Sequence, residues 1–537
     1  MEPTLENIRS LAQAGGYRRI PIKRDLLADF ITPIEAMRAL RAASNHCFLL
    51  ESAEAEEYRG RYTFLGMKPS LEFTCRAGKA QIRRNPETDH ETCESFTIDH
   101  PNALIRSIIE KHKSPQLENF PPFAGGLVGY FSFDYLSYSE PTLRAIQRNE
   151  ENTQQAEEDF LDVDLMLFDS VVVFDSYKQI ISCITGVPIG NYKNGTLEDS
   201  GLKNNALRNA SPKNNTLKND LLDEDQLEQA YNQALQELDH MEAILKSSRR
   251  FAFEPLHLTH ELTPRFSQAE YSEMIAKAKH YIFEGDIFQV VLSNPLTAPA
   301  TGSLFDAYRV LRCTNPSPYM LYFTSNNVEI AGASPETLTR LEGSKLYTFP
   351  LAGTRPRGNT PEEDAHIEAE LLHDEKELAE HNMLVDLGRN DLGRVCKLGS
   401  VQVHNYLDVL KFSRVMHIGS TVVGTINPQN DALDAVDAVL PAGTLSGAPK
   451  IRACEIIREL EGTPRGIYGG ALGYLDLSGN MDICIAIRLA YKKNGTVCVQ
   501  SGAGIVADSD PASEYQECQN KAGAVIDALK AAEGGLA

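Results

Sequence analysis

The sequence is short of positive charge. Against 52 lysines and arginines stand 74 aspartates and glutamates, a net charge of −22 over 537 residues. That balance excludes general binding to nucleic acid or to an anionic membrane surface, which both need basic protein surface. It leaves room for a small anionic substrate, which needs only a local group of arginine, lysine, backbone N–H groups or a metal. Paired cysteines are lacking too. The ten cysteines include no CxxC pair, which argues against a zinc site. Cys484 in DICIAIR and Cys498 in TVCVQ sit in apolar runs and read as small core residues of a reduced, cytoplasmic protein. The first residues, MEPTLENIRSLAQAGG, lack an apolar signal core, and no run approaches a membrane span. Nucleotide fingerprints are missing as well. In GTLSGAPK, residues 443–450, Gly443 and Gly447 stand four apart and Lys450 follows Pro449, so this is not a Walker loop.

What is present is ordinary globular material, 42% hydrophobic and 23% charged, in a chain long enough for two or three domains. Residues 17–184 alternate short strands and helices; ALIRSIIEKHK (103–113) has helical spacing, and 164–184 predicts two strands joined at Asp175–Lys178. Residues 190–220, rich in Asn, Lys, Gly and Ser, read as a solvated insertion or linker. Leu227, Tyr231, Ala234, Leu238, Met241 and Leu245 mark an amphipathic helix. The second region spans 262–530. There Ser267 and Glu270 predict a capping box, a helix running to Phe283 and a stop at Gly285. IFQVVLS (287–293) predicts a strand, and Thr360-Pro361 opens a helical stretch that carries 374–391. GGALGYLDLSGNMDICIAIRLAY predicts a hairpin turning at Ser478–Asn480; TVCVQSGAGIVAD predicts a further strand, and Ser513 with Gln516 a capped final helix. Hairpins in place of βαβ alternation predict an α/β protein of the mixed α+β kind, with largely antiparallel sheets covered by helices.

Candidate chemistry collects in the second region. Thr444 and Ser446 place hydroxyls beside a helix start, which favours anions, although an ordinary turn, with Pro449 at the first helical position, explains such a stretch more often. Glu514, Glu517 and Lys521 share one face of the last helix, as Glu377 and Glu380 share a face of another. Surface salt bridges are the common case. One carboxylate from each helix would equally suit Mg²⁺, but spacing does not say whether the helices meet. In the hairpin, Ile483, Ile485 and Ile487 face one side, while Asp482, Cys484, Ala486 and Arg488 face the other and leave room beside the arginine. The glycines of SGAG (501–504) let backbone N–H groups approach a ligand closely. Together these groups suit a small polycarboxylate; the alternative is an arginine paired to an aspartate such as Asp508, with the glycines in a bulge.

Taken in order, PLAGTRPRG (350–358), DEKELAEHNMLVDLGRNDLGRV, GTLSGAPK, GGALGYLDLSGNMDICIAIR and GAGIVADSDPASEYQECQNKA resemble the successive motifs of the chorismate-utilising enzymes. FLLESAE (48–54), RYTFLG (61–66) and NPSPYM (315–320) resemble the component I branch, so the likeness spans nearly the whole chain outside 190–220. It implies two packed subdomains with sheets facing one another and helices outside. Residues 17–184 would be the regulatory part and 262–530 the catalytic part. Relatives that attack chorismate with water carry a lysine at Gln289, and those that use a covalent lysine carry it at Ala352. With neither lysine, the resemblance implies direct attack by ammonia and formation of anthranilate in tryptophan biosynthesis. The sister reaction to 4-amino-4-deoxychorismate and a non-catalytic tryptophan-binding relative are the alternatives.

The resemblance also implies roles. Glu380 and Glu517 would hold Mg²⁺. Tyr468, Arg488, Gly502, Ala503 and Gly504 would bind chorismate, with Gly353 and Thr354 lining the site and Lys521 adding positive charge. Glu336 would be the general acid for the C4 hydroxyl, which requires a raised pKa. His417 would assist the second, aromatising step, and Thr444 would hydrogen-bond to substrate. Leu50, Glu51 and Ser52 with Pro318, Tyr319 and Met320 would form a regulatory site for L-tryptophan. Ammonia would come from a separate glutamine amidotransferase subunit, since no cysteine here sits in a nucleophile elbow.

Overall fold

A computed structural model describes residues 2–52, 60–140, 142–143, 160–190, 221–411 and 415–536. The insertion expected at 190–220 lies outside the described residues apart from Gly190. Two large sheets, of 13 and 12 described strands, form the frame, and every pairing in their ladders is antiparallel.

Each sheet takes strands from both regions of the chain. The first runs Arg19–Leu27, Ile180–Pro188, Ser170–Asp175, Tyr62–Met67, Cys47–Glu51, then Tyr319–Thr324, Glu329–Ser334, Leu489–Lys493, Thr496–Ile505 and Gln289–Thr301. The seam between early and late sequence is the pairing of Leu50 with Leu321 and of Glu51 with Met320. In the second sheet the seam is Gly126–Phe131 against Ala471–Asp476. The division at 17–184 and 262–530 is therefore not a division between sheets.

Burial explains the arrangement. Phe48, Tyr130, Met166, Phe168, Leu321, Ile330, Leu472, Cys484 and Cys498, drawn from both sheets, form one core cluster between them. The outer face of the first sheet packs on helices Pro33–Arg41, Glu224–Lys246, Phe305–Thr314 and Pro511–Ala532, that of the second on Asn102–Lys111, Glu375–Gly393 and Ala432–Val439. The apolar stripe read in Glu224–Lys246 is buried at all six positions.

The structure departs from expectation at four places. Residues 163–188 form three strands, because Val163–Phe168 belongs to the second sheet and Ser170–Asp175 to the first, so Asp169 marks a crossing and not strand interior. The helical stretch after Thr360 is two helices, Pro361–Leu371 and Glu375–Gly393, the second capped by Asp374 through the N–H groups of Lys376 and Glu377. The final helix is capped by Asp510, not Ser513. Pro449 is the cap of helix Lys450–Glu461 and not its first turn. Among the described residues no helix is long and apolar enough to cross a membrane.

Candidate active site and a second cavity

The hairpin expected at Ser478–Asn480 forms, with strands Ala471–Asp476 and Met481–Ile485. The strand stops at Ile485, however, and Arg488 adopts φ +53° at the point where the chain leaves the second sheet for the first. The two-faced reading that carried Arg488 onto an extended strand face thus fails there: the crossing turns it. Asp508 is exposed, and among the described residues no ion pair closes on Arg488. Burial makes its charge costly, while Glu336 and Tyr468 act in the opposite direction.

Glu336 lies just beyond the strand Glu329–Ser334, its carbonyl accepting from the backbone N–H of Ile485 at 3.0 Å. Burial pushes its carboxyl up to about 8, while the Thr444 hydroxyl and the charges of Lys521 and Arg488 pull the other way. Thr444 donates to Glu336 Oε1 at 3.2 Å. The loop GTLSGAPK that presents Thr444 is pinned at its far end, where buried Lys450 donates to Asp391 Oδ2 at 2.7 Å and to the Val439 carbonyl at 3.0 Å. Ser446, expected to offer a hydroxyl to an anion, is buried and donates to the Ala442 carbonyl.

His417 sits on Val415–Thr425 opposite Thr354, next to a bulge between Ala352 and Thr354. Gly353 supplies the bulge with φ +63°; a Cβ there would meet Leu371 Cδ1 at 2.9 Å. Its carbonyl lies 3.0 Å from His417 Nδ1. A carbonyl only accepts, so Nδ1 carries the proton and the lone pair is on Nε2. Burial, the largest influence, lowers the pKa of the ring and keeps it neutral; Arg488 acts in the same direction.

Strand Thr496–Ile505 closes the site. Its pairing with Leu489–Lys493 ends at Val499, whereas its pairing with Gln289–Thr301 runs on to Ile505. From Gln500 onward one edge of the backbone therefore has no strand partner among the described residues, and the glycines lie on that stretch. A Cβ at Gly502 would come within 3.0 Å of the Tyr468 hydroxyl, and one at Gly504 within 2.6 Å of Gln289 Nε2. Ala503 points the opposite way into a core with Tyr271 and Ile275, so it offers backbone only.

The two carboxylate helices come within electrostatic reach of each other, Lys521 of the last acting on Glu380 and Lys376 acting on Glu514. The Glu380 carboxyl is raised by burial and by Glu377, and lowered by the Gln289 amide and by Lys521. Glu517 forms an ion pair with Lys521 at 2.7 Å, and Glu514 bonds to Ser509 at 2.7 Å. The Oε1 atom of Gln289 is buried without a hydrogen-bond partner. Among the described residues no three His, Cys, Asp or Glu side chains converge as a metal cage. Two carboxylates suit a hard cation that completes its shell with substrate and water. Gln289, noted in the sequence only for not being lysine, is thus a structural member of the site.

A cavity of about 480 Å³ lies elsewhere, along the seam between Cys47–Glu51 and Tyr319–Thr324. Leu50, Glu51, Ser52, Pro318, Tyr319 and Met320 all line it, so the six expected regulatory positions come together. The Glu51 carboxylate is already engaged: it accepts from Tyr308 and, at 2.6 Å, from Arg312 Nε. Tyr319 donates to Asp482 at 2.7 Å.

The chain matches the chorismate binding enzyme family over residues 45–527. Anthranilate synthase component 1 of Acetivibrio thermocellus is 40% identical over 99% of this chain and 99% of its own length. The protein of the same description from Aquifex aeolicus is 39% identical, covering 99% and 98%. Among solved structures, anthranilate synthase component I from Streptococcus pneumoniae superposes with a TM-score of 0.66 at 34% identity, over 88% of this chain and 93% of that one. The menaquinone-specific isochorismate synthase of Escherichia coli shares the fold, with a TM-score of 0.63 at 18% identity over 98% of both chains.

Proposed function

The chain belongs to the chorismate binding enzyme family, in its anthranilate synthase component 1 branch, and from that membership we propose that it converts chorismate and ammonia into anthranilate and pyruvate. The observation that carries the proposal is the Glu336 carboxyl, which accepts from the Thr444 hydroxyl in surroundings that raise its pKa. A carboxyl held at about 8 beside a hydroxyl donor is an acid at neutral pH, and it lies within electrostatic reach of Arg488 and Lys521, the cations suited to a dicarboxylate.

Arg488, Tyr468, the open backbone edge at Gly502–Gly504 and the Gly353–Thr354 turn hold the substrate. Ammonia attacks C2, the ring double bonds shift, and the C4–O bond breaks; the hydroxyl takes the Glu336 proton and leaves as water. The new ammonium group gives up one proton, which restores the acid, and 2-amino-2-deoxyisochorismate remains. In the second step the C2 proton passes to His417 Nε2 as the C3–O bond breaks. Enolpyruvate leaves, takes a proton on carbon to become pyruvate, and the ring becomes aromatic. Thr444 serves this chemistry by orienting Glu336. Glu380 and Glu517 would hold Mg²⁺, which when bound supplies positive charge beside the ring carboxylate.

Regulation and partners follow the same reading. The cavity lined by Leu50, Ser52, Pro318, Tyr319 and Met320 takes L-tryptophan as feedback inhibitor. Glu51 fixes the strand from behind and does not meet the ligand with a free carboxylate. The name component 1 implies a further component, and a glutamine amidotransferase subunit that supplies ammonia fits it. Ten cysteines without a disulfide among them support a reducing, cytoplasmic setting.

The test is turnover by the purified chain with chorismate, Mg²⁺ and an ammonium salt, the products separated by chromatography. Anthranilate and pyruvate in equal amounts, lost on chelation, are expected. Aminodeoxychorismate without pyruvate would place the chain in the sister reaction.

A further inference from the structure

A buried ion pair that the catalytic reading does not use lies against the site. Arg465 is 2% and Glu461 4% exposed. They meet through two hydrogen bonds, Nε to Oε2 at 2.8 Å and Nη2 to Oε1 at 2.5 Å. Desolvating both charges offsets most of their attraction, and well-packed apolar replacements of such pairs are often neutral for stability.

The remaining contacts point to a different use. Arg465 Nη1 donates to the Leu445 carbonyl at 2.7 Å and Nη2 to the Val291 carbonyl at 2.6 Å. The guanidinium lies 4.6 Å from the ring centre of Phe133 and 5.7 Å from that of Tyr468. Glu461 Oε1 also accepts from the backbone N–H and the hydroxyl of Ser293, at 2.7 and 2.9 Å. Each contact fixes a wall of the site. Leu445 follows Thr444; Val291 and Ser293 stand opposite Gly504 and Gly502 in the strand register. Only a planar fork of donors spans these carbonyls and the carboxylate together.

We propose that Arg465, seated on Glu461, is a positioning residue that sets the places of the Thr444 loop, the strand facing Gly502 and Gly504, and Tyr468, without itself touching substrate. The proposal rests on the reading of the site given above. Lys450 and Asp391 hold the far end of the loop, so the segment that depends on Arg465 is the one bearing Thr444.

The test is Arg465→Lys, which keeps the charge and loses the fork. With ammonium as nucleophile, kcat is expected to fall about 10- to 100-fold, the scale of a small misplacement, with the KM for chorismate within about threefold of wild type. A second readout needs no turnover: the Glu336 carboxyl is titrated by infrared difference spectroscopy, with Glu336→Gln as the blank. The groups that face Glu336 are the Thr444 hydroxyl, which favours the carboxylate, and the cations Lys521 and Arg488. Releasing Thr444 alone moves the titration to higher pH. Thr444→Val gives the same displacement, and the double variant moves no further than Thr444→Val. A pair that is merely structural lowers the thermal midpoint and leaves that titration unmoved; this result, or displacements that add, overturns the proposal. If Arg465→Lys does not fold, Arg465→Met with Glu461→Leu removes both charges and is read the same way. A displaced titration in a protein whose wild type makes no anthranilate overturns the proposed reaction and leaves the positioning role standing.

Discussion

Thr444 and Glu336, 108 positions apart, are joined by a hydrogen bond of 3.2 Å from hydroxyl to Oε1. A loop between two helices is thereby tied to a residue that links two sheets. The same bond favours the ionised carboxyl, against a burial that is larger and wins. Replacing Glu336 with glutamine should remove the acid with little change in shape. We expect kcat to fall by about 10²- to 10⁴-fold, the range of a positioned general acid, in steady-state assays with ammonium.

The pH dependence follows from the same group. Its folded pKa of about 8 lies above the ordinary 4.5. The acid form is lost as pH rises through about 8, so kcat at constant free ammonia should decline there. For stability the sign is the usual one for a raised acid. The native state keeps a proton that the unfolded chain has released, so this group's contribution falls as pH rises from about 4.5 to about 8. Melting curves of wild type and Glu336→Gln should therefore diverge over that window, with the glutamine variant gaining relative to wild type.

His417 is held neutral, its Nδ1 proton on the Gly353 carbonyl. His417→Phe should leave the first step intact and stop the second. Chromatography should then find 2-amino-2-deoxyisochorismate accumulating without anthranilate fluorescence.

Gly353→Ala should act on the same base indirectly. A Cβ at φ +63° is strained and would press on Leu371, 2.9 Å away. A loss of roughly 1–3 kcal/mol in denaturant unfolding is expected from the backbone alone, together with a lower rate of anthranilate release.

The protein contains no tryptophan residue. Indole emission excited at long wavelength therefore reports added L-tryptophan without a protein background. Binding in the 480 Å³ cavity should shift that emission to the blue. Leu50→Arg, which puts a charge into the cavity wall, should abolish the shift while circular dichroism stays unchanged.

Much of the architecture was legible because it is local. The capping box of Ser267 and Glu270, the buried stripe of Glu224–Lys246 and the hairpin at Ser478–Asn480 depend on residues a few positions apart. Where the chain changes sheets, local pattern misleads. Asp169 and Arg488 lie in apolar runs that read as continuous strand, yet at each the chain passes from one sheet to the other.

The site divides the same way. Sequence by itself determined the residue types: a carboxyl without a lysine rival at Gln289 or Ala352, glycines at the open strand edge, and a carboxylate on each of two helices. It also determined the family, through motifs in a fixed order. Only the tertiary structure decided that Lys521 of one helix acts on Glu380 of the other, that Thr444 serves Glu336, and that Glu51 is engaged by Arg312. The reason is physical. A pKa near 8 comes from the loss of water around a group, and that loss is a property of everything packed against it, gathered from residues hundreds of positions apart.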